Sequence, residues 1–180
     1  MTPPPRDPAG PGASVTRGAP AVPAPAGILP VRVGREPAGR RPTVLVSGLA
    51  SDSHTWNLVF LQLLIEELGY DVVNLGPCVP DELLVRECRE RTPALLVVSS
   101  VNGHGHQDGV RVIRKLRAEP GLAELPAVIG GKLGITGGEG TDHVAELMEA
   151  GFDSVFEDGA QEIASFRRFI GGIPRRAALS

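Results

Sequence analysis

From residue 43 onward, short apolar runs alternate with segments whose apolar residues recur at helical spacing. The apolar runs, which we predict as strands, are TVLVSGL (43–49), DVVNL (71–75), ALLVV (94–98), 127–129 and 154–156. The predicted helices are a segment through Leu58, Leu61, Ile65 and Leu68, followed by 80–91, 108–117, 141–150 and 160–169. Helical spacing assigns Met148 to the inward face of the predicted helix 141–150, and it puts Ile163, Phe166 and Ile170 on one side of the last helix.

Strict alternation of strands and helices favours a parallel sheet covered by helices on both faces. We therefore predict an α/β fold, a doubly wound five-stranded parallel sheet with the flavodoxin-like order 2-1-3-4-5. In this arrangement ligands bind outside the carboxyl ends of the strands, where the strand order reverses between strands one and three. The segments expected to carry a site are 50–57, 99–108 and 130–140, which follow strands one, three and four.

The first 42 residues differ in composition from the rest of the chain. They hold 11 of the 17 prolines, and their six arginines against Asp7 and Glu36 leave a net charge of +4. The whole chain carries −3, so the remaining 138 residues carry −7. Dense proline breaks helices, and such a segment buries too little apolar area to offset the entropy of ordering. We predict a disordered tail at 1–42, a domain at 43–170 and a C-terminal tail at 171–180.

Several classes of protein are excluded by length and composition. The 138 residues after the tail are fewer than the roughly 250 of a (β/α)₈ barrel. No apolar run approaches the ~20 residues that span a bilayer, and the proline-interrupted N-terminus lacks a signal peptide's apolar core, so we expect a cytoplasmic protein that does not bind a membrane. The acidic domain argues against nucleic acid as the main partner. Cys78 and Cys88 are predicted as two reduced thiols.

The segment after strand one contains Asp52, Ser53 and His54. Asp52 could cap the following helix. Alternatively, because Asp52 and His54 are two residues apart, an extended loop lets the carboxylate bond one imidazole nitrogen, which leaves the other nitrogen as a metal ligand or base. The residues alone leave both interpretations open.

The segments after strands three and four are rich in glycine and histidine. Gly103 lies in the loop that carries His104 and His106, a pair that fits zinc only if His54 or His143 joins it; flexible solvated histidines are the alternative. Gly130 and Gly131 end strand four, where backbone lies close either to a ligand or to a neighbouring loop. The sequence around them has neither P-loop spacing nor a Rossmann G-x-G-x-x-G after strand one.

The Asp52-x-His54-x-x-Asn57 motif resembles the D-x-H-x-x-G signature of domains that bind cobalamin with its nucleotide base displaced by a protein histidine. That family continues with Ser-x-Leu about 41 residues later and then Gly-Gly. In this chain 41 residues separate Asn57 from Ser99-Ser100-Val101, and Gly130-Gly131 follows. The resemblance covers about 43–160 and is nearest to the small, cobalamin-binding subunits of glutamate (methylaspartate) mutases.

The resemblance implies adenosylcobalamin as cofactor, His54 as the lower axial ligand of cobalt, and Asp52 holding its other nitrogen. It also implies that Ser99, Gly130 and Gly131 line the channel for the displaced nucleotide tail, with Ser53, Asn57, Val101 and Gly103 as further cofactor-binding residues. In the family, the radical rearrangement of glutamate belongs to a separate, larger barrel subunit. The implied assembly is a homodimer within a heterotetramer, with no catalytic residue in this chain.

Two positions depart from the signature: Asn57 replaces its glycine and Val101 replaces its leucine. We expect a divergent but active subunit, in which Asn57 weakens or reorients binding of the tail. The alternatives are a cobalamin-binding sensor or a corrinoid methyl carrier; carriers of that kind usually have a helical domain ahead of the cobalamin domain, which a proline-rich segment cannot form. A phospho-receiver domain needs Asp after strand three and Lys after strand five, where this chain has Ser99 and Glu157-Asp158.

Overall fold

The computed structural model describes residues 41–134 and 140–173. The strands are β1 (Thr43–Gly48), β2 (Asp71–Asn74), β3 (Leu95–Ser100), β4 (Ala127–Gly131) and β5 (Ser154–Glu157). The helices are α1 (Trp56–Glu67), α2 (Asp81–Arg91), α3 (Gly105–Ala118), α4 (Gly140–Ala150) and α5 (Ala160–Gly172). The predicted tails lie almost entirely outside the described residues, so the division into tails and domain stays a prediction.

The five strands form one parallel sheet in the order β2-β1-β3-β4-β5. This confirms the predicted flavodoxin-like fold. The register places Gly48 of β1 beside Ser99 of β3, and Ser99 beside Gly130 of β4. The carboxyl ends of the three strands nearest the reversal of strand order therefore lie level, and the segments that follow them meet at one edge.

Side chains of the sheet alternate between two helical layers, as successive residues of a strand must. Val44 and Val46 face a core shared with α1 and α5, whereas Leu45 faces the core shared with α2, α3 and α4. All six residues of β3 are buried. The most apolar predicted strand is thus the central one, covered on both faces, which is why its sequence shows no polar alternation.

Two predictions about the helices were wrong in detail. α3 begins at Gly105 rather than at residue 108, because the His106 amide donates to the Leu133 carbonyl at 3.0 Å and Gly105 packs against Ser100 and Leu133. A Cβ at Gly105 would lie 2.8 Å from that of Ser100, so only glycine allows this close start. Met148 is 43% exposed, not inward.

Tyr70 joins the two helices of one layer at the amino edge of the sheet. It follows α1, precedes β2 and is 1% exposed, and its hydroxyl donates to the carbonyl oxygen of Ile170 near the end of α5 at 2.8 Å. A buried phenol is stable when its polar end is paired in this way. Within 41–134 and 140–173, no helix combines the length and apolar character needed to cross a membrane.

The two cysteines differ in environment. Cys88 is fully buried in the core under α2, and burial raises the pKa of its thiol to about 12. Cys78 is exposed in the segment between β2 and α2. Both are free thiols, as predicted.

Candidate functional site

Asp52 and His54 meet in the loop after β1. Asp52 is 1% exposed, and its Oδ1 atom accepts a hydrogen bond from the His54 amide at 3.0 Å and lies 2.7 Å from His54 Nδ1. Its Oδ2 atom accepts from the Val101 amide, at the end of β3, at 2.6 Å. Asp52 does not cap α1, whose N-cap residue is Thr55 and lacks a side-chain cap bond. The capping interpretation was therefore wrong, and the carboxylate instead joins two loops and orients the imidazole.

The contact with Asp52 determines which nitrogen of His54 is available to a ligand. A carboxylate accepts hydrogen bonds, so Nδ1 carries the proton and Nε2 keeps its lone pair. The imidazole is 58% exposed, so this lone pair can reach a group bound at the edge of the sheet. Burial alone would raise the pKa of Asp52, but the bonds from the His54 and Val101 amides and the His54 ring outweigh it and hold that pKa below its usual value. Asp52 therefore remains a charged acceptor.

The loop that carries this pair is anchored by a polar network of residues in the next two loops. The Asp52 carbonyl accepts from the Cys78 amide at 2.8 Å, and Asn102 Nδ2 donates to the Ser51 carbonyl at 2.7 Å. Ser51 in turn donates its hydroxyl to Asp108 in α3. The backbone on both sides of Asp52 is thus held by neighbouring segments.

Asp108 connects this loop to a cluster of charges between α2 and α3. Arg111 bonds Asp108 and also donates to both carboxylate oxygens of Asp81, at 2.7 and 3.1 Å. Lys115 Nζ lies 3.0 Å from Asp81 and 2.7 Å from Glu82. Asp81 and Glu82 lie in the first turn of α2. The sequence does not predict their network, because Arg111 and Asp81 are 30 residues apart. The one signal that could have indicated it is the pair of basic residues at 111 and 115, four apart on one face of α3.

Asp81 makes the stability of the fold dependent on pH. Burial would raise the pKa of this 5% exposed residue, but Arg111 and Lys115 outweigh burial and lower it from 3.8. A lowered folded-state pKa means that the stabilisation is complete above about pH 4 and is lost as the pH falls through the folded-state pKa. We expect Asp81→Asn to lower the free energy of unfolding by about 1 to 2 kcal/mol at pH 7, a value moderated by solvent around the half-exposed cations.

Urea unfolding at pH 7 and at successively lower pH measures this effect. The difference between the unaltered protein and Asp81→Asn should shrink below about pH 4. Glu82→Gln is the matched control, because Glu82 bonds Lys115 from an exposed position and should have little effect. Equal unfolding curves for Asp81→Asn and the unaltered protein at pH 7 would show that the charge cluster is not stabilising.

A largely apolar cavity of about 160 Å³ opens beside the His54 loop, between the sheet and the helices α1 and α5. Five of the predicted cofactor-binding residues line it, namely Asn57, Ser99, Val101, Gly130 and Gly131. Its walls come from Phe60, Leu61, Leu64, Val97, Val128, Phe156, Ile163 and Phe166. The structure therefore brings together five predicted residues that lie up to 74 positions apart, as expected for strand ends at one edge. The sequence did not predict that aromatic residues line this cavity, because apolar residues at helical spacing indicate only a buried core.

Asn57 and Ser99 form a pair at this cavity. Asn57 Nδ2 donates to Ser99 Oγ at 2.7 Å, so the first turn of α1 is bonded to the end of β3. The other amide atom of Asn57, Oδ1, is buried and has no hydrogen-bond partner among the described residues. A buried acceptor without a partner costs free energy, which a ligand with a matching donor would recover.

Packing within the protein already requires glycine at positions 130 and 131, whether or not a ligand binds there. Gly131 has φ +105°, and a Cβ there would lie 2.2 Å from the Ser100 carbonyl oxygen; at Gly130 it would lie 2.9 Å from that of Phe156. Close approach of neighbouring strands thus accounts for both residues, although they also line the cavity. Gly103 and Ser53, by contrast, are not among the described residues lining it: Gly103 turns the chain before α3 with φ +82°, and Ser53 is exposed.

The histidines after β3 lie at the start of α3. His104 is the exposed N-cap residue of α3, and His106, in its first turn, stacks on His143 of α4 with ring centroids 4.2 Å apart. His106 Nε2 also lies 2.6 Å from Glu146 Oε2. The expectation of flexible solvated histidines was wrong for His106, because the earlier start of α3 turns it toward α4. Among the described residues, no group of three or more histidine, cysteine or acidic side chains is placed to hold a metal ion.

Proteins of known sequence that resemble this chain include several glutamate mutase sigma subunits. The chain is 30% identical to the glutamate mutase sigma subunit 2 of Haloarcula marismortui over 142 residues, which are 77% of this chain and 94% of that protein. It is 29% identical to the glutamate mutase sigma subunit of Fusobacterium nucleatum over 116 residues, 64% of this chain and 85% of that one. No family model matches the chain.

Among solved structures, the fold resembles that of a cobalamin-binding protein from Desulfitobacterium hafniense. The TM-score is 0.57 at 21% identity, and the match covers 72% of this chain and 59% of that one. A likeness at this identity establishes the fold only. The relatives of known sequence go further, because the Haloarcula protein is matched over nearly its full length. The chain therefore belongs to the family of glutamate mutase sigma subunits.

Proposed function

We propose that this chain is the cobalamin-binding subunit of an adenosylcobalamin-dependent carbon-skeleton mutase, specifically a glutamate mutase that interconverts L-glutamate and threo-3-methylaspartate. The observation that carries the proposal is the oriented Asp52–His54 pair beside an apolar cavity at the carboxyl edge of the sheet. Membership in the sigma subunit family confirms the sequence-based prediction of a mutase subunit. The adenosyl form of the cofactor, the substrate and the residue roles are proposals.

The residues of the site fit the cofactor. His54 presents an exposed Nε2 lone pair that could coordinate cobalt, and Asp52 fixes the tautomer that leaves this lone pair available. The cavity next to it has largely apolar walls, as a flat nucleotide base requires, and among the described residues Asn57 Oδ1 is a buried acceptor without a hydrogen-bond partner there. His54 would then hold the cobalt, while Asn57, Ser99, Val101, Gly130 and Gly131 would surround the displaced tail.

The work of this chain is to hold and orient the cofactor. Adenosylcobalamin supplies homolytic cobalt–carbon chemistry when bound. The polar network through Ser51, Asn102 and Asp108 keeps the His54 loop in place, so that the imidazole needs no reorganisation to meet the cobalt. We assign no catalytic residue to the chain; substrate binding belongs to a separate barrel subunit, with two copies of each subunit in the assembly.

Reconstitution tests the proposed reaction. The full chain is mixed with the catalytic barrel subunit of a glutamate mutase, glutamate and adenosylcobalamin, and methylaspartate is measured. We expect product only when all components are present, and a loss of at least about 100-fold in the rate with His54→Ala. His104→Ala, an exposed histidine in the neighbouring loop, is the matched control and should retain activity. Cobalamin binding without product, with every compatible barrel subunit tested, would instead favour a sensor or a carrier.

A further inference from the structure

We infer that the outer faces of α1 and α5 form the interface of a homodimer of the unliganded chain, in which the α1 helices of the two copies pack antiparallel. The inference concerns the chain by itself, so it does not rest on the proposed function. It starts from large apolar side chains that these two helices leave exposed on the surface.

A stripe of apolar side chains runs along the outer face of α1. Trp56, Val59, Phe60 and Leu63 recur at the spacing of one helix face, and all are exposed, Trp56 by 84% and Leu63 by 61%. Ile163 of α5 extends the stripe into a patch, because it lines the same cavity as Phe60. Of the six large apolar side chains that are exposed in the described part of the chain, five lie in this patch. A helix that covers a sheet needs one apolar face, so a second apolar face indicates a further contact.

The area of the patch suits a reversible dimer. Its side chains expose on the order of 500 Å² of apolar surface, more than the few hundred Å² that a soluble monomer commonly leaves uncovered in one place. Two copies together bury about 1,000 Å², which reaches the smallest size of a specific interface. We therefore expect a dissociation constant in the micromolar range. An interface of this size dissociates readily, so single chains with an open cavity remain available to a ligand.

The stripe is complementary to itself when two α1 helices pack antiparallel. With a twofold axis between positions 59 and 60, Trp56 lies opposite the partner's Leu63, and Val59 lies opposite the partner's Phe60. Each aromatic ring therefore packs on an aliphatic side chain rather than on its own copy, and large side chains meet smaller ones across the interface. The full length of the stripe is covered in both copies at once.

The charges beside the patch also favour an antiparallel second copy. Asp158 and Glu162 line the cavity at the carboxyl edge, close to Ile163. Toward the amino edge, α5 presents Arg167, which bonds Glu67 of α1 and is still 44% exposed. Because α1 and α5 both run from the carboxyl edge to the amino edge, antiparallel packing brings the partner's arginine to the acidic end of the patch. Parallel packing would instead bring the carboxylates against their own copies.

Analytical ultracentrifugation of the full, cofactor-free chain across micromolar concentrations tests the inference. We expect the sedimenting mass to rise with concentration from that of one chain to that of two. Leu63→Glu introduces one carboxylate from each copy into the interface and should weaken the dimer at least about 100-fold. Met148→Glu is the matched control, because it adds the same charge at an exposed apolar position of α4, on the other side of the sheet, and should leave the dissociation constant unchanged.

Two arginine variants test the antiparallel orientation. Arg167→Glu should weaken the dimer about tenfold, because the contact with the partner's acidic end occurs twice. Arg168→Glu changes the net charge equally, but Arg168 donates to Ser165 within its own helix, one position further around α5, and its loss should have a smaller effect. Equal weakening by the two variants would overturn the antiparallel arrangement.

Two outcomes would overturn the dimer itself. A chain that stays monomeric at every concentration would leave the patch to a different protein, and a dimer that persists in Leu63→Glu would use another face. Circular dichroism checks that each variant is folded. Val59→Glu, at an exposed position on the same face of α1, replaces Leu63→Glu if that variant does not fold.

Discussion

Replacing His54 with alanine is expected to remove the histidine nitrogen coupling from the electron paramagnetic resonance spectrum of the reduced cobalt complex. It should also weaken cobalamin binding at least about 100-fold, since loss of a group that merely supports a ligand already costs 10- to 100-fold. The fold should persist, because His54 is more than half exposed and its contacts lie within its own loop. The spectrum is recorded on cobalamin reduced in the presence of the purified full chain.

His104→Ala serves as the control for this spectrum. Among the described residues, His104 is the other exposed histidine at this edge of the sheet. Its complex should keep the nitrogen coupling. A spectrum of the unaltered protein without histidine coupling would mean that His54 is not the axial ligand. Coupling that persists in His54→Ala but disappears in His104→Ala would transfer the role to His104.

Replacing Asp52 should affect both stability and binding. Asp52→Ala leaves the Val101 amide without its 2.6 Å acceptor and releases both the amide and the ring of His54. We expect a loss of about 2 to 4 kcal/mol in the free energy of unfolding and a 10- to 100-fold loss in cobalamin affinity. Urea unfolding and tryptophan fluorescence titration measure the two effects separately.

The conservative change Asp52→Asn distinguishes positioning of His54 from support of the fold. Its carbonyl oxygen can still accept from one amide, so much of the stability should return. It lacks the charge and the second acceptor that fix the His54 tautomer, so affinity should stay low. Asp71→Ala, at an exposed aspartate at the start of β2, should change neither quantity. Unchanged affinity in Asp52→Asn would show that Asp52 only stabilises the loops.

The sheet could be predicted from sequence because its signals are local. β3 is a continuous apolar run, and a parallel strand covered on both faces needs nothing else. The start of α3 could not be predicted, because Gly105 lies within a glycine-rich stretch that suggests a loop. It is helical owing to its contacts with Ser100 and Leu133, which come from two other elements.

In the candidate site, too, contacts between residues close in sequence could be predicted, whereas contacts between distant residues could not. Asp52 and His54 are two residues apart, so their contact follows from local geometry and could be anticipated. The Asn57–Ser99 bond joins residues 42 positions apart, and the Arg111–Asp81 pair joins residues 30 apart. Both depend on how tightly α1 and α3 pack on the sheet, which apolar periodicity does not encode. The replacement of the signature's glycine by Asn57 pointed to a residue that does line the cavity, but only the structure shows that its amide bonds Ser99.

The Tyr70 bond to α5 has a consequence for how the cavity admits a ligand. A cavity of about 160 Å³ is close to the ~150 Å³ that accommodates a single benzene ring, so a two-ring base must push α1 and α5 apart. Tyr70 joins these helices at the amino edge, whereas Asn57 and Glu162 lie in their first turns at the opposite edge. Because Tyr70 ties the helices at the amino edge, we expect them to separate mainly at the opposite edge, near Phe60 and Ile163, which are 50% and 41% exposed. Such a widening would disturb side chains that water already reaches and would leave the buried half of that layer intact.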